Sequence, residues 1–400
     1  MDPTRTDAEM LDATDPLAAF RQRFLIDDDL VAYLDGNSLG RAPRSTLQRL
    51  QSLYAEQWGG RLIRGWTEGW VDLPEQVGDR LGAAVLGAAE GQVVVADSTS
   101  VNLYKALHTA TGLRPGRSEV VVDDTNFPTD RYLVQSVAAQ LGLTVRWIRP
   151  DPLRGPVADD LTGVLGPGTA WVLLSHVDYR SGAAADLPGL TELVHGVGAL
   201  AVWDLSHSAG CLDVQLDAVG VDLAVACTYK YLNAGPGAPA FLYVADRHVA
   251  RARQPLEGWF GAADVFAMAA EYEPAAGIRR MLTGTPYVPG LVAVDEGVAL
   301  LEEAGISRIA AKARSITAFA AELLVAHGLE LASPGDATAR GGHVTVRVPD
   351  AEEVTTRLIG RGVVPDFRNP DLIRLGMSPL TTSYAEVWDG LAVLAEEIRR

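Results

Sequence analysis

The chain is short of lysine and cysteine, has no long apolar run and carries no excess of positive charge. Each shortage excludes something. Two cysteines, Cys211 and Cys227, cannot build a disulfide scaffold or a cysteine-rich metal centre. Nowhere do about 18 apolar residues follow one another, as a membrane-spanning helix requires. The polar start, Met1 to Arg5, does not read as a secretory leader, so a soluble, cytoplasmic protein is the expectation. With 51 acidic against 34 basic residues the net charge is −17, which disfavours a nucleic-acid backbone as partner. Internal repeats and low-complexity tracts are lacking as well.

The lysine shortage is the informative one. Lys105, Lys230 and Lys312 are the only three, against 31 arginines. A guanidinium does not deprotonate in proteins, so a lysine kept against this bias is a candidate for amine chemistry. Codon bias with three leftovers is the competing reading, and only context separates them.

What is present is an ordinary globular composition, 48% hydrophobic and 21% charged, over 400 residues. That length suits two or three domains. Residues 1–44 read as an N-terminal segment, acidic and mostly helical over 1–30 and then turn-rich from Leu34 to Gly40, ending at Pro43. Between 45 and 290, short apolar runs at 93–96, 119–122, 145–148, 171–174, 199–203, 223–227 and 241–244 alternate with helical patterns. They read as buried parallel strands with crossover helices, a large α/β domain. Residues 291–400 read as a smaller α/β domain, entered by a long helix over 292–303 that continues past Gly305 to about His327. It goes on with a strand at 343–348, a helix at 351–360, strands near 363–367 and 372–375, and a last helix. Ser383 with Glu386 suggests a capping box for that helix.

In open α/β sheets ligands gather where strands end and loops begin, and four such ends carry chemistry. After 93–96 come Asp97, Ser98, Thr99 and Ser100 and then a helix, a hydroxyl-lined phosphate cup or a plain helix cap. After 119–122 comes Phe127-Pro128-Thr129-Asp130, an aromatic that could stack on a flat ring or staple the next helix. The run 199–203 ends in Asp204, with His207 close by, a carboxylate suited to a protonated heterocyclic nitrogen or to capping a turn. The run 223–227 ends in Thr228-Tyr229-Lys230, followed by a glycine-rich return through Gly235 and Gly237.

Lys230 is the lysine with the right setting. Apolar walls disfavour its ammonium form, which makes the amine a nucleophile for a Schiff base. Lys105 and Lys312 sit on helical patterns and read as surface or helix-face cations. A phosphate cup, a stacking aromatic, an acid for a ring nitrogen and an amine together describe a pyridoxal 5'-phosphate (PLP) site.

These segments resemble the kynureninases, fold-type I PLP-dependent enzymes, over nearly the full length. The resemblance is carried by YLDGNSLG at 33–40, STSVNL at 98–103, NFPTD at 126–130, WDLSH at 203–207 and CTYKYLNAGPGAPA at 227–240. QPLEGWFG at 254–261, GTP at 284–286 and DFR at 366–368 continue it in the same order. It implies a homodimer with shared sites that hydrolyses the Cβ–Cγ bond of L-kynurenine to anthranilate and L-alanine. By the same resemblance Lys230 holds the cofactor and moves the α-proton, and Thr99 and Ser100 bind phosphate. Phe127 covers the ring, while Thr129, Asp130, Ser175, Asp204 and His207 surround it. Tyr229 touches the phosphate and donates a proton to the product carbanion. Trp259 and Thr285 complete the site from the neighbouring subunit. Arg374 grips the substrate carboxylate, or else forms a structural ion pair, with Asn37 also on the substrate side.

Trp66 stands where bacterial members carry an aromatic over the substrate ring, which implies plain L-kynurenine as substrate and 3-hydroxykynurenine as a poorer one. Core packing with Trp58 and Trp70 is its other reading. Two positions depart from the family pattern: Ala262 replaces a histidine, and Asp178 replaces the asparagine of Asn-Tyr-Arg-(Thr/Ser)-Gly. Both bear on the shape of the substrate pocket. The rival readings are a PLP enzyme acting on a modified kynurenine, an aminotransferase, a cysteine desulfurase and a non-catalytic binding protein. A desulfurase needs a thiol in a late loop, and no cysteine follows Cys227.

Overall fold

The computed structural model describes residues 3–399. Its centre is a seven-stranded sheet of β1 (Val93–Ala96), β2 (Glu119–Asp123), β3 (Thr144–Ile148), β4 (Thr169–Ser175), β5 (Leu200–Asp204), β6 (Leu223–Ala226) and β7 (Ala240–Val244). The spatial order is β1-β7-β6-β5-β4-β2-β3. Successive side chains point to opposite faces, so Val93, Val95, Val172 and Trp203 enter one core while Val94, Val120, Leu173 and Val202 enter another. Two buried faces are why these strands read as nearly unbroken apolar runs. Edge strand β3 departs from this, with Thr144, Arg146 and Trp147 exposed and only Ile148 buried.

Each apolar run read from the sequence is a strand, within two residues at either end. One direction differs from the expectation. Strand β7 is antiparallel to both β6 and β1. The segment between β6 and β7 contains no helix, and a parallel return requires a long crossover, usually helical. The other six strands share one direction, so β1, β2, β4, β5 and β6 all end at the same edge of the sheet.

The long helical stretch is two helices, Val288–Ala304 and Ile306–Ala326, separated at Gly305. The first packs Leu291, Val294, Val298 and Leu301 into the core of the large sheet. Beyond the second lies an antiparallel sheet of β8 (Glu330–Leu331), β9 (His343–Arg347), β10 (Asp366–Arg368) and β11 (Leu372–Gly376), in the order β10-β11-β9-β8. Its core joins Ile316, Leu324, Val344, Ile373 and Leu391 to Ala8, Ala32 and Leu34 from the N-terminal segment. That segment is tied down twice more: Ala32–Tyr33 pairs in parallel with Val363–Val364, and Arg5 meets Asp389 at 2.9 Å.

Two details differ from the sequence reading. At the last helix, Ser383 accepts a hydrogen bond from the Glu386 N–H (3.1 Å), but the Glu386 carboxylate does not close a capping box. It accepts instead from the Tyr33 backbone (2.9 Å) and pairs with Arg41 (2.9 Å) and Arg21 (2.5 Å). Lys105 and Lys312 are not surface cations. Lys105 is fully buried against Asp97, and Lys312 is buried against Asp15 at 2.6 Å. Both helices turn those positions inward, which a lone lysine in a helical pattern does not reveal.

Candidate active site

A cavity of about 570 Å³ opens at the shared edge of the strands. Strand β1 delivers Ser98, Thr99 and Ser100. Ser98 caps the helix Thr99–Leu113 by accepting from the Val101 N–H (3.3 Å), and Thr99 and Ser100 line the cavity at that helix's positive end. The cap and the cup are therefore one structure. Strand β2 delivers Phe127, Thr129 and Asp130, β4 delivers Ser175, β5 delivers Asp204 and His207, and β6 delivers Tyr229 and Lys230. Thr285, with Thr283 and Tyr287, closes the opposite wall within the same chain.

The deep end is acidic. Asp204 accepts from the Ser206 N–H with one oxygen (2.7 Å), so it does cap its turn. It also lies beside Asp130, whose carboxyl is held well above the usual carboxylate range, first by burial and then by the Asp204 charge. One oxygen of Asp130 is buried without a hydrogen-bond partner. Two adjacent carboxyl groups with an open acceptor suit a protonated ring nitrogen, and among the described residues none bonds that free oxygen.

Across the cavity, the Lys230 amine lies 2.9 Å from Nε2 of His207. Burial first, and then the Lys230 charge, keeps His207 well below its ordinary pKa, so the ring is neutral. Burial and the neighbouring Cys227 push the Tyr229 phenol well up, so it keeps its proton at neutral pH. Phe127 is 41% exposed and stands edge-on to Tyr179 (centroids 5.3 Å), so it faces the cavity rather than stapling its helix. Ser175 donates to Asn126 (2.7 Å), which also accepts from the Phe127 N–H (2.7 Å) and fixes that loop. The lysine loop itself is pinned by the N-terminal turn. Gly40 donates to the Tyr229 carbonyl (2.8 Å), and a Cβ there would sit 2.3 Å from the Lys230 carbonyl oxygen.

Four expected residues lie outside this cavity. Arg374 is buried behind it and bonds Asp366 (2.7 Å), the Ser38 hydroxyl (2.8 Å) and the Tyr179 carbonyl. Asn37 is buried nearby, with neither side-chain polar atom bonded. Trp66 packs against Trp70 and Phe260 at 5.4 and 5.7 Å and lines a separate apolar hollow with Leu53, Val288 and Pro289. Trp259 is 37% exposed beside Phe260 and Phe266. The departing residues are also placed. Asp178 accepts from the N–H groups of Arg180 (2.9 Å) and Ser181 (2.7 Å), a turn an asparagine oxygen would build equally well. Ala262 bridges to Pro274 in an outer loop and does not reach the cavity.

The sequence reading missed Asn126 and Tyr179 as members of the site, although both lie in motifs it singled out. It also missed Thr283, Tyr287 and the buried Asp97–Lys105 pair. No local pattern marks these, because they meet the site only through the packing of distant loops.

A mostly parallel sheet with a strand-end lysine facing a carboxylate pair and a hydroxyl cup is the arrangement of fold-type I PLP-dependent enzymes. Solved structures of that architecture superimpose closely. The apo cysteine desulfurase of Thermococcus onnurineus NA1 matches with a TM-score of 0.83 at 19% identity, covering 95% of this chain and 98% of that one. The cystine C–S lyase C-DES in complex with cysteine persulfide matches at 0.81 and 20%, covering 92% and 98%. At such identities the likeness speaks for the fold alone.

Sequence relatives speak for more. The chain is 42% identical to the kynureninase of Pseudomonas fluorescens, over 99% of this chain and 96% of that protein. It is 43% identical to the kynureninase of Deinococcus radiodurans over 97% and 94%, and 41% identical to that of Burkholderia pseudomallei over 98% and 95%. The kynureninase C-terminal domain family matches residues 309–394. The chain belongs to the kynureninase family, PLP-dependent hydrolases of carbon–carbon bonds.

Proposed function

We propose that the chain hydrolyses L-kynurenine and water to anthranilate and L-alanine. The observation that carries this is that Lys230, the Asp130–Asp204 pair and Thr99 and Ser100 at a helix start all line one cavity. Bound there, PLP supplies an electron sink for negative charge developing at the substrate's α- and β-carbons.

The chain's own residues do the rest. Thr99 and Ser100 hold the phosphate against the helix N-terminus. Asp204, backed by Asp130, would hold the proton on the ring nitrogen, and Phe127 would cover the ring. The Lys230 amine takes the α-proton and returns one. His207, a neutral ring 2.9 Å away, accepts from the ammonium that results. Water adds to the side-chain ketone, the Cβ–Cγ bond breaks towards anthranilate, and the β-carbon needs a proton. Tyr229 supplies it, since its phenol is protonated at neutral pH and lines the same cavity. Arg374 takes the substrate carboxylate by exchanging its bond to Ser38 or Tyr179 for a bidentate one.

A homodimer completes this reading. Tyr54, Trp58, Leu62 and Ile63 are exposed next to the hollow that contains Trp66, and Trp259, Phe266 and Met268 form a second exposed apolar group. Such surface is what a subunit interface covers. With Trp66 and Trp259 presented to the partner's cavity, plain L-kynurenine is the preferred substrate and 3-hydroxykynurenine a poorer one.

The test is product formation by cofactor-loaded protein, read as anthranilate fluorescence and L-alanine, with Lys230→Ala as control. Equal amounts of both products, abolished in the variant, are expected. A bound-cofactor absorbance without anthranilate overturns the substrate. A half-reaction with an oxo acid would show an aminotransferase instead.

A further inference from the structure

We infer that His343 is a positioning residue for Lys230: it pairs with the far nitrogen of His207 in whichever tautomer the amine requires, and so supports what His207 offers that amine. The inference deepens the function proposed above and rests on Lys230 being the reactive amine.

His343 begins strand β9 and is fully buried, yet neither of its ring nitrogens has a hydrogen-bond partner among the described residues. Its ring lies 5.5 Å, centroid to centroid, from that of His207. His207 in turn has Nε2 at 2.9 Å from the Lys230 amine and Nδ1 buried without a partner. The two rings, each with unpaired buried nitrogen, are close enough for one water to link them. A histidine buried only for packing would be replaced at lower cost by an apolar ring, because unsatisfied buried nitrogens are unfavourable. The ring is also confined, since a Cβ on Gly182 would meet two of its atoms at 3.2 Å.

The chemistry runs through tautomers. An ammonium on Lys230 can only donate, so Nε2 of His207 must accept and Nδ1 must carry the hydrogen. That Nδ1–H then needs an acceptor, which a neutral His343 supplies. When Lys230 is a free amine the roles reverse, Nε2–H donating to the amine and Nδ1 accepting from His343. A neutral histidine has one donor and one acceptor and serves both states. The charged groups facing His343 are Lys230, Arg374 from β11 and Arg368 from β10, with Asp366 paired to both arginines. Asp35 lies beyond them. The three cations, added to burial, keep both histidines neutral.

Replacing His343 by phenylalanine strands the Nδ1–H that the ammonium state requires, a costlier defect than an unpaired acceptor. The pH at which Lys230 becomes reactive should fall. The experiment is the rate at which cofactor-free, full-length protein captures PLP, followed by absorbance across pH. For His343→Phe the midpoint should move down by about half a pH unit or more. His343→Gln, which keeps a donor and an acceptor, should stay with the wild type. An unmoved midpoint in His343→Phe, or an equal shift in both variants, overturns the inference.

Should His343→Phe fail to fold, the histidine ¹⁵N spectrum of the cofactor-free wild type decides. His207 and His343 tautomers that change together as the Lys230 ammonium loses its proton support the inference, and a His207 tautomer that changes while His343 does not respond overturns it. Wild-type protein that captures no PLP at any pH would sink the functional reading, while the spectrum would still decide the tautomer.

Discussion

The ammonium of Lys105 lies 2.5 Å from the Asp97 carboxylate and 2.6 Å from the Met281 carbonyl, under the loop that leads from β1 into the hydroxyl cup. Asp97 holds a left-handed backbone (φ 50°), a conformation unfavourable to a side-chain-bearing residue and sustained here by the buried partner. The pair therefore fixes the backbone from which Ser98, Thr99 and Ser100 enter the cavity. Lys105→Met should lower stability by about 3 kcal/mol, because it leaves a carboxylate without its buried partner. Asp97→Asn in the same background should restore part of that loss. Denaturant unfolding of the three proteins checks both outcomes, and cofactor affinity should fall with the single substitution.

Asp35 gives a pH dependence with a definite sign. Burial, followed by the Asp366 charge, raises its carboxyl from 3.8 to about 6. A carboxyl raised on folding favours the folded state below its unfolded value, and that advantage is lost as pH climbs from about 4 to about 6. Asp35→Asn removes the loss. Relative to the wild type, the variant should gain about 2–3 kcal/mol between pH 4 and pH 7. Unfolding free energies of both proteins at the two pH values measure it; a gain of the opposite sign would show that Arg374 and Arg368 outweigh burial.

Glu386 ties the N-terminal segment to the last helix through Tyr33, Arg41 and Arg21. Glu386→Gln keeps the shape and removes the charge that two arginines share. A loss of about 2–4 kcal/mol is expected, as for one partner removed from a buried pair. The KM for kynurenine should change little, since the network lies outside the cavity. Thermal unfolding and steady-state kinetics on one preparation separate the two effects.

Asp178→Asn, which restores the family's commoner residue, should be nearly silent. The carboxylate oxygen that accepts from Arg180 and Ser181 is replaced by an amide oxygen able to do the same. A change in kcat/KM within about threefold, under 1 kcal/mol, is expected. A larger change would mean that the charge itself acts on the substrate.

Asp130 and Asp204 should respond differently to loss of charge. Asp204→Asn removes the carboxylate proposed to face the ring nitrogen, and a fall of at least about a hundredfold in kcat is expected, roughly 3 kcal/mol. Asp130, held largely protonated by burial and by Asp204, has less charge to lose, so Asp130→Asn should cost markedly less. Equal losses would mean that the two carboxyls share one proton evenly.

Much of this protein was legible in its sequence. Strands buried on both faces appear as short apolar runs bounded by turns, so all seven strands of the large sheet could be placed. The rarity of lysine narrowed the choice to three and the strand-end setting chose Lys230, while residues at strand ends such as Asp204, Thr99 and Phe127 carry their chemistry in their immediate neighbours. Those signals are local, and local patterns survive in one dimension. Strand direction was not legible for β7, because direction depends on which strands become neighbours. The burial of Lys105 and Lys312 was not legible either, since a helix repeats every 3.6 residues and a single polar position does not say which way it faces. The pairing of His343 with His207 joins the first residue of a strand in the four-stranded sheet to a turn that follows a strand of the seven-stranded one. Their meeting was decided only when the four-stranded sheet packed against the strand ends of the seven-stranded one.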